Sequence, residues 1–378
     1  MLDLQKCREE IDSIDKEIVA LMKQRMVVSG KVADYKRSTG KKIFDKVRED
    51  AILEKMGNMA EDEFQKHCFQ ELYSQIMSMS RKLQYSLVEQ KDPEISFEEV
   101  EQLSTDKNTK VVYLGPEGSY TSQATHDFFG TEITEIAKDN FRDIMETLKS
   151  GEAEFGVVPI ENTSTGGITD IYDLLTEYGY HIIGEHVVKV EHALLTVPGT
   201  TMEDIKTVYT HPQSIRQCKK FLSQYPQIKA VELTSNSLAA KKVGEEKDKT
   251  QAAIASVQAG KNFGLTALKT SINEEKNNAT RFIIITSKKI FFKGANKMSI
   301  SFVAPHVSGS LYRMLSHLIF NNLNMTKIES RPLKGKSFEY RFFIDFEGNI
   351  NMPAVKNTLN GIREEAIELN VLGNYSEK

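Results

Sequence analysis

The 378-residue sequence has only 3 cysteines, almost no net charge and no long hydrophobic run. Cys7, Cys68 and Cys218 are odd in number and share no metal-ligand spacing, which argues against a disulfide framework and predicts reduced structural thiols. No stretch approaches the roughly 18 apolar residues of a membrane-spanning helix. The N-terminal sequence is too charged for a signal peptide, and the formal charge of −4 indicates no nucleic-acid partner. We therefore expect a cytoplasmic protein that binds neither membranes nor nucleic acid.

Proline and glycine are scarce in the first quarter of the chain. None of the 9 prolines precedes Pro93, and only 3 of the 22 glycines do. A stretch this poor in helix breakers predicts an all-α domain over residues 1–90. The acidic, apolar-poor run that follows at residues 91–108 predicts a linker.

The rest of the chain divides into two regions that differ in their pattern of predicted strands and helices. In residues 109–288, short β-type runs that end in turn residues alternate with helical patterns, which predicts an α/β domain. Residues 297–376 read strand, helix, strand, strand, helix and strand. This βαββαβ order predicts a small ferredoxin-like α+β domain.

An apolar stripe with steps of three and four residues runs from Leu4 to Tyr35 and predicts one long packed helix. Arg25 occupies a position in this stripe where an apolar residue is expected. Its guanidinium must meet an anion or incur a desolvation penalty. An internal ion pair, or a packed stem beneath a solvated head group, would also satisfy Arg25.

The spacing of other charged residues adds information. Lys36 lies 11 residues after Arg25 and returns to nearly the same helix face about 16 Å further on. Arg8 lies 17 residues before Arg25, about 25 Å away, so one small ligand cannot touch both. If the two arginines bind the same kind of anion, Arg8 must serve a partner chain's site. That condition predicts an intertwined helical dimer.

The segments CREEIDSID, KQRMVVSGKVADYK, FDKVRE and SMSRKLQ resemble the all-helical chorismate mutases fused to prephenate dehydratase. The resemblance implies three helices per chain in an intertwined dimer. It implies that Arg8 of the partner subunit, Arg25 and Lys36 bind chorismate's carboxylates and ether oxygen, and that Gln84 joins Lys36 at the ether oxygen. Asp45, Glu49 and Ser80 would contact the hydroxyl side of the substrate, and Arg48 would lie beside the site. A Claisen rearrangement needs a compact substrate conformer and cations facing the ether oxygen, so no cofactor is expected.

Five motifs between Gly115 and Ile285 resemble prephenate dehydratase in the family's order: GPEGSYTSQA, GVVPIENTSTGGI, YTHPQSIRQC, TSNSLAA and NNATRFIII. The resemblance implies two α/β lobes with a cleft between them, like periplasmic ligand-binding proteins. Thr280, in the Thr-Arg-Phe motif, would assist departure of the ring hydroxyl as prephenate becomes phenylpyruvate, water and carbon dioxide. The candidate substrate contacts are Asn162, Thr165, His211, Gln213, Gln217 and Arg281.

Several of these residues have plainer interpretations. Asn162 is also suited to cap a helix, and His211 before a proline is suited to hold a turn. Arg281 is equally consistent with a surface salt bridge. The remaining histidines show no ligand spacing, so no metal site is predicted.

The C-terminal region contains two motifs that resemble the ACT domain attached to these dehydratases: Gly309, Leu311, Glu329, Ser330, Arg331 and Pro332 are the matching residues. The resemblance implies that they bind phenylalanine between paired domains and mediate feedback inhibition. Ser310 replaces the alanine that the family usually shows. A helix N-terminus with a structural arginine pair is the alternative interpretation.

The prediction is therefore a bifunctional enzyme with chorismate and prephenate as substrates and L-phenylalanine as effector. It is expected to form a dimer or tetramer. The alternative function is a two-lobed small-molecule binding protein with a helical dimerisation segment and no catalysis. Thr280 argues against a binding protein, and Arg25 argues against a helical segment that serves only to dimerise.

Overall fold

The computed structural model describes residues 3–88, 95–101, 103 and 105–378. The helices are α1 (Leu4–Thr39), α2 (Lys46–Gly57), α3 (Glu63–Leu87), α4 (Tyr120–Phe129), α5 (Phe141–Lys149), α6 (Thr169–Tyr178), α7 (Pro212–Gln217), α8 (Lys219–Leu222), α9 (Asn236–Glu246), α10 (Val257–Asn262), α11 (Ser310–Phe320) and α12 (Pro353–Glu365). The strands are β1 (Glu98–Val100), β2 (Lys110–Leu114), β3 (Thr134–Lys138), β4 (Phe155–Asn162), β5 (Gly166–Gly167), β6 (His181–Lys189), β7 (Ala193–Thr196), β8 (Thr207–Thr210), β9 (Lys229–Glu232), β10 (Gln251–Ala255), β11 (Thr266–Lys269), β12 (Ala279–Thr286), β13 (Ile290–Phe292), β14 (Lys297–Val303), β15 (Met325–Pro332), β16 (Tyr340–Glu347) and β17 (Glu368–Tyr375). No helix among the described residues is both long and apolar enough to cross a membrane.

The chain divides into two compact units. The first consists of Met1–Ser96 and Ile300–Asn370, and the second of Phe97–Ser299 and Val371–Lys378. The helical N-terminal region and most of the C-terminal α+β region therefore belong to one unit, while the α/β region forms the other.

The N-terminal part of the first unit is helical because it contains no proline before Pro93 and few glycines. Its first helix, α1, runs unbroken for 36 residues. The Asp3 side chain caps the start of α1 by accepting a hydrogen bond from the Gln5 N–H at 3.0 Å. Gly40 ends the helix with a left-handed φ of 66°. Asp45 and Asp62 cap α2 and α3 in the same way. The prediction of an all-helical N-terminal region is confirmed.

The apolar stripe of α1 is largely exposed in the single chain. Ile11, Ile14 and Ile18 are 56, 57 and 51% exposed. The buried residues of this helix are Ser29 and Ala33, which are both small. A long exposed apolar stripe is typical of a surface that a partner covers.

The C-terminal part of the first unit follows the chain order β14, α11, β15, β16, α12, β17, which is the βαββαβ order that the sequence predicts. The strands lie in the order β15-β16-β14-β17. In the antiparallel β15–β16 pair, Arg331 lies opposite Arg341. Helix α12 packs against α11 and also against α3, so it contacts the helical region directly.

Two larger sheets make up most of the second unit, beside the two-stranded pair of β1 and β13. In the first, β12 lies antiparallel between β6 and β4, and β2 lies parallel between β4 and β3. In the second, the strand order is β11-β7-β10-β8-β9. The chain leaves the first sheet after β6 and returns to it at β12, so each sheet with its helices forms one lobe. The α/β prediction is confirmed for this region.

The predicted linker at residues 91–108 contains a short strand. Residues 91–94, 102 and 104 lie outside the described residues. Within this segment β1 pairs in parallel with β13, with Glu98 opposite Ile290. The acidic composition concealed this strand, because its partner follows far along the chain and local pattern does not report non-local pairing.

Candidate active sites and effector pocket

Arg25, the polar residue in the apolar stripe of α1, faces α3. Its Nη1 donates to the Ser80 hydroxyl and, at 3.3 Å, to the Ile76 carbonyl oxygen. Burial lowers the pKa of Arg25, while Tyr73 and Glu49 oppose that shift. The hydrogen bonds of Arg25 thus go to neutral oxygens and leave its charge available for an anion.

Glu49 lies near both Arg25 and Lys36, and we call the set Arg25, Lys36, Glu49, Ser80 and Gln84 the helical site. The Lys36 Nζ donates to the Ile43 carbonyl oxygen at 2.6 Å. Burial lowers the pKa of Lys36, and Asp45 and Glu49 are among the carboxylates that oppose the shift. Burial also raises the pKa of Glu49, and Arg81 opposes that rise through its charge and hydrogen bonds.

Gln84 supplies an unsatisfied polar group to the helical site. Its side chain is buried, and its Oε1 has no hydrogen-bond partner among the described residues. It lies one helical turn from Ser80, as the spacing predicts. A buried amide without a partner is costly, which is consistent with a ligand completing its hydrogen bonds.

The other residues predicted for this site lie at its edge or away from it. Asp45 and Arg48 are exposed at the start of α2, where the Asp45 side chain accepts from the Arg48 N–H at 3.1 Å. Arg8 is exposed near the start of α1, about 25 Å from Arg25 along the unbroken helix. One chain therefore does not bring Arg8 to its own helical site.

Sequence reasoning missed Arg81, which is 4% exposed and forms ion pairs with Glu49 and Glu365. Its neighbour Lys82 is equally buried and donates to the Ser316 hydroxyl at 3.1 Å. Burial lowers the pKa of Lys82 to about 8. The available signal was position, since Arg81 lies about 100° around α3 from Ser80 and so borders the face that Ser80 and Gln84 share.

In the second unit, a cavity of about 730 Å³ opens between turns and helix starts, and we call it the cleft. The predicted residues that line it are Asn162, Thr165, His211, Gln213 and Thr280. Gly118 forms part of its wall with a φ of 78°, and a Cβ there would lie 3.2 Å from the Ala259 backbone. The GPEGS turn therefore needs glycine at this position for both conformation and space.

Thr280 is held by Asn162, which lies opposite it in the β12–β4 pair. The Asn162 Nδ2 donates to the Thr280 Oγ1 at 2.9 Å, to the Asn278 Oδ1 at 2.8 Å and to the Ala279 carbonyl at 3.1 Å. The Asn162 Oδ1 accepts from the backbone N–H of Ser164 at 2.9 Å, which fixes the amide orientation. Because Thr280 accepts from Asn162, its own proton remains available to a group in the cleft.

His211 both caps α7 and lines the cleft. Its Nδ1 accepts from the Gln213 N–H at 3.2 Å, which places the ring proton on Nε2. Burial lowers the pKa of His211, Arg216 adds to that shift and Glu232 opposes it. The neutral His211 imidazole therefore both holds the turn before α7 and lines the cleft.

Gln217 and Arg281 lie outside the cleft lining. The Gln217 Oε1 pairs at 2.8 Å with Nε2 of His192, and Nδ1 of this buried histidine lies 3.1 Å from the Tyr120 hydroxyl. Arg281 forms ion pairs with Glu185 at 3.1 Å and Glu161 at 3.5 Å. Consecutive residues of a strand point to opposite faces, so Arg281 faces away from the side on which Thr280 meets the cleft.

The cleft has further polar lining that sequence reasoning did not name residue by residue: Ser119, Tyr120, Thr121, Ser235, Asn236, Ser237 and Ser256. Ser119 caps α4 and Ser235 caps α9. No lysine or arginine occurs among the described residues that line the cleft. Serine directly before a helical pattern was the available signal, since it marks a helix N-terminus.

A smaller cavity of about 350 Å³ lies in the C-terminal region and is called the C-terminal pocket. Leu311 lines it together with residues 304–308 and Ser310 on one side and with aromatic residues near Tyr340 on the other. Gly309 starts α11 with a φ of 72°. The residues Glu329, Ser330, Arg331 and Pro332 lie in β15 and are not among the described residues that line the pocket. No group of three or more His, Cys, Asp and Glu side chains in the described ranges is placed to hold a metal ion.

Comparison with known proteins identifies both halves of this arrangement. The family models of chorismate mutase type II and prephenate dehydratase match residues 7–85 and 111–290. A bifunctional chorismate mutase/prephenate dehydratase of Pseudomonas aeruginosa is 31% identical over 378 residues, which are 98% of this chain and 97% of the relative. The enzyme of the same name from Escherichia coli is 30% identical over 97% of this chain and 95% of its own length. The crystal structure of prephenate dehydratase in complex with L-Phe from Arthrobacter aurescens is 29% identical, covers 71% of this chain and 90% of that chain, and superposes with a TM-score of 0.65.

Proposed function

This chain belongs to the family of bifunctional chorismate mutase/prephenate dehydratases, and on that premise we propose how its residues divide the work. The protein rearranges chorismate to prephenate and converts prephenate to phenylpyruvate with loss of water and carbon dioxide. These are steps of phenylalanine biosynthesis. Its cytoplasmic location stays a prediction from the sequence.

The mutase reaction is assigned to the helical site, and the observation that carries the assignment is the unneutralised Arg25 guanidinium beside Ser80. Chorismate is a dianion, so Arg25 binds a carboxylate. Lys36 and Gln84 face the ether oxygen, where negative charge develops as the bond breaks. Burial removes water from Lys36, and this strengthens its attraction for the developing charge. Glu49 contacts the substrate hydroxyl.

The dehydratase reaction is assigned to the cleft, and the observation that carries this assignment is the Asn162–Thr280 hydrogen bond. Thr280 donates its proton or a hydrogen bond to the departing hydroxyl, while aromatisation of the ring provides the driving force. The N-termini of α4 and α9 reach the lining through Thr121 and Asn236. Since backbone N–H groups at helix starts bind anions, they hold the two carboxylates of prephenate without a cationic side chain.

We assign a homodimer to the helical region, with the exposed stripe of α1 as its interface. The stripe carries Ile11, Ile14 and Ile18, each more than half exposed in the single chain. A second α1 running along this stripe buries it and carries Arg8 of the partner subunit toward Arg25. The dimer thereby completes the helical site, and a tetramer built from two such dimers satisfies the same requirement.

The dimer predicts complementation between two inactive variants. Arg8→Ala and Arg25→Ala each lose mutase turnover, but co-expressed chains regain about a quarter of wild-type activity, because half of the dimers are mixed and each mixed dimer has one intact site. Chorismate consumption by purified single and co-expressed variants measures this. A mixture no more active than either variant would show that Arg8 does not act across subunits.

The C-terminal pocket is assigned to L-phenylalanine as an ACT-type effector site that mediates feedback inhibition. Its apolar wall includes Leu311 and Phe342, which suit an aromatic side chain, and the L-Phe complex of a related dehydratase supports this choice. Glu329–Pro332 extend along β15 and contribute in a paired arrangement of two such domains.

Phenylalanine added to a coupled assay, with chorismate supplied and phenylpyruvate measured, should lower the rate of phenylpyruvate formation. Leu311→Ala should raise the phenylalanine concentration for half inhibition by roughly tenfold, because buried leucine surface is lost. Ile319→Ala is the matched control on the same helix, since Ile319 is 70% exposed and does not line the pocket. An unchanged rate together with no calorimetric binding of phenylalanine rejects the effector site. Absence of phenylpyruvate without phenylalanine rejects the enzyme assignment itself.

A further inference from the structure

The last turn of α12 presents two consecutive carboxylates, Glu364 and Glu365, to the helical region of the same unit. The Glu364 carboxylate accepts from the backbone N–H of Ile43, at 3.3 Å, and from that of Phe44. It also accepts from the Tyr85 hydroxyl at 3.1 Å. Ile43 is the residue whose carbonyl oxygen holds the Lys36 ammonium, so Glu364 anchors the loop that positions Lys36.

Glu365 is connected to the helical site through a different chain of contacts. It accepts from the Arg81 Nε at 3.0 Å and lies 2.9 Å from its Nη2. The remaining Nη1 of Arg81 donates to both oxygens of Glu49. The guanidinium is planar, so two nitrogens fixed by Glu365 set the direction of the third toward Glu49. The Arg81 guanidinium also lies 5.1 Å from the centroid of the Phe44 ring.

His317 completes the chain on the side of the C-terminal region. Its Nε2 lies 3.1 Å from the Glu365 Oε1, and its side chain is fully buried. Burial alone raises the pKa of Glu365, but the hydrogen bond from His317 and the charge of Arg81 outweigh it, so the pKa is lowered. Glu365 is thus an ionised carboxylate that both partners hold in place.

The buried network links Glu49, Arg81, Glu365 and His317. Burying such polar groups adds little to the stability of the fold, because the cost of desolvation offsets most of their attraction. Such a network does fix geometry, since each member has only one arrangement that satisfies all the others. Here the contacts of Glu364 lead through Ile43 to Lys36, and those of Glu365 lead through Arg81 to Glu49. Lys36 and Glu49 are both members of the helical site.

We propose that Glu364 and Glu365 are positioning residues for the mutase reaction, through which residues 300–370 hold Lys36 and Glu49 in their working orientations. The inference rests on the assignment of the mutase reaction to the helical site. Glu365 acts through Arg81, and Glu364 acts through the loop at Ile43. The C-terminal region therefore completes the mutase site as well as containing the C-terminal pocket.

Glu365→Gln in the full chain tests the proposal, since it removes the charge and keeps the size of the side chain. Chorismate kcat should fall by roughly tenfold to a hundredfold, as a misplaced catalytic group produces, with a smaller change in KM. Prephenate turnover by the same preparation should be unchanged. Glu368→Gln is the matched control, because the described side-chain partners of Glu368 are Arg341, at 2.8 Å, and Asn370, which are not members of the helical site. We expect its mutase rate to stay at the wild-type level.

A double-mutant cycle separates positioning from general destabilisation. If Glu365 acts through Arg81, Glu365→Gln should cause no further loss of chorismate kcat in an Arg81→Met background. Multiplied losses, or a wild-type kcat in Glu365→Gln, overturn the proposal. If Glu365→Gln loses the helical circular dichroism signal, Glu364→Gln takes its place, with the same expected fall in kcat and the signal retained. Absence of chorismate turnover in the wild-type protein would instead reject the mutase assignment.

Discussion

Arg25→Ala abolishes chorismate consumption, whereas prephenate turnover by the same preparation continues at the wild-type rate. The expected loss in kcat/KM for chorismate is at least roughly a thousandfold, which corresponds to about 4 kcal/mol of transition-state binding. The reason is that Arg25 is the cation assigned to a substrate carboxylate, and its hydrogen bonds among the described residues go to the Ser80 hydroxyl and the Ile76 carbonyl oxygen.

The fold should tolerate this change. Without Arg25, the Ser80 hydroxyl still donates to the Ile76 carbonyl oxygen at 2.9 Å, so no buried group on α3 loses its only partner. Arg37→Ala is the matched control, because Arg37 is an exposed arginine of the same helix that donates to the Leu87 carbonyl oxygen. Chorismate turnover should survive in Arg37→Ala. Full mutase activity in Arg25→Ala would contradict the assignment of the helical site.

The sequence predicted the regular elements well where local pattern decides them. The scarcity of proline and glycine predicted α1 and α3, and the order of strands and helices predicted the βαββαβ region. Pairing between distant segments was out of reach. Arg81 could be recognised as unusual, but its partner Glu365 lies 284 residues further on, and no local rule connects them.

Arg281 shows what period-2 reasoning could have added. Thr280 and Arg281 are neighbours in a predicted strand, so their side chains point to opposite faces of the sheet. A strand that gives Thr280 to the cleft therefore gives Arg281 to the other side, where Glu161 and Glu185 pair with it. His211 shows the reverse case, in which two interpretations that competed in the sequence, a turn and a site, describe one side chain.

Thr280→Val should lower the rate of phenylpyruvate formation roughly a hundredfold to a thousandfold. Chorismate consumption should stay intact, so prephenate accumulates. Valine has nearly the shape of threonine but no hydroxyl. Asn162 keeps two acceptors after the change, the Asn278 Oδ1 at 2.8 Å and the Ala279 carbonyl at 3.1 Å, so its own network persists. The loss therefore reports the missing donor in the cleft and not a collapsed strand.

Thr280→Ser is the matched control, because it keeps the hydroxyl that accepts from Asn162 and donates into the cleft. Its phenylpyruvate formation should stay far above that of Thr280→Val, with both rates measured from supplied prephenate. If Asn162 orients the hydroxyl, Asn162→Ala in the Thr280→Val background should cost little more, whereas in the wild type it should slow the reaction markedly. Equal rates for the serine and valine variants would mean that the hydroxyl takes no part in expelling the leaving group, and the role of Thr280 would then reduce to packing in β12.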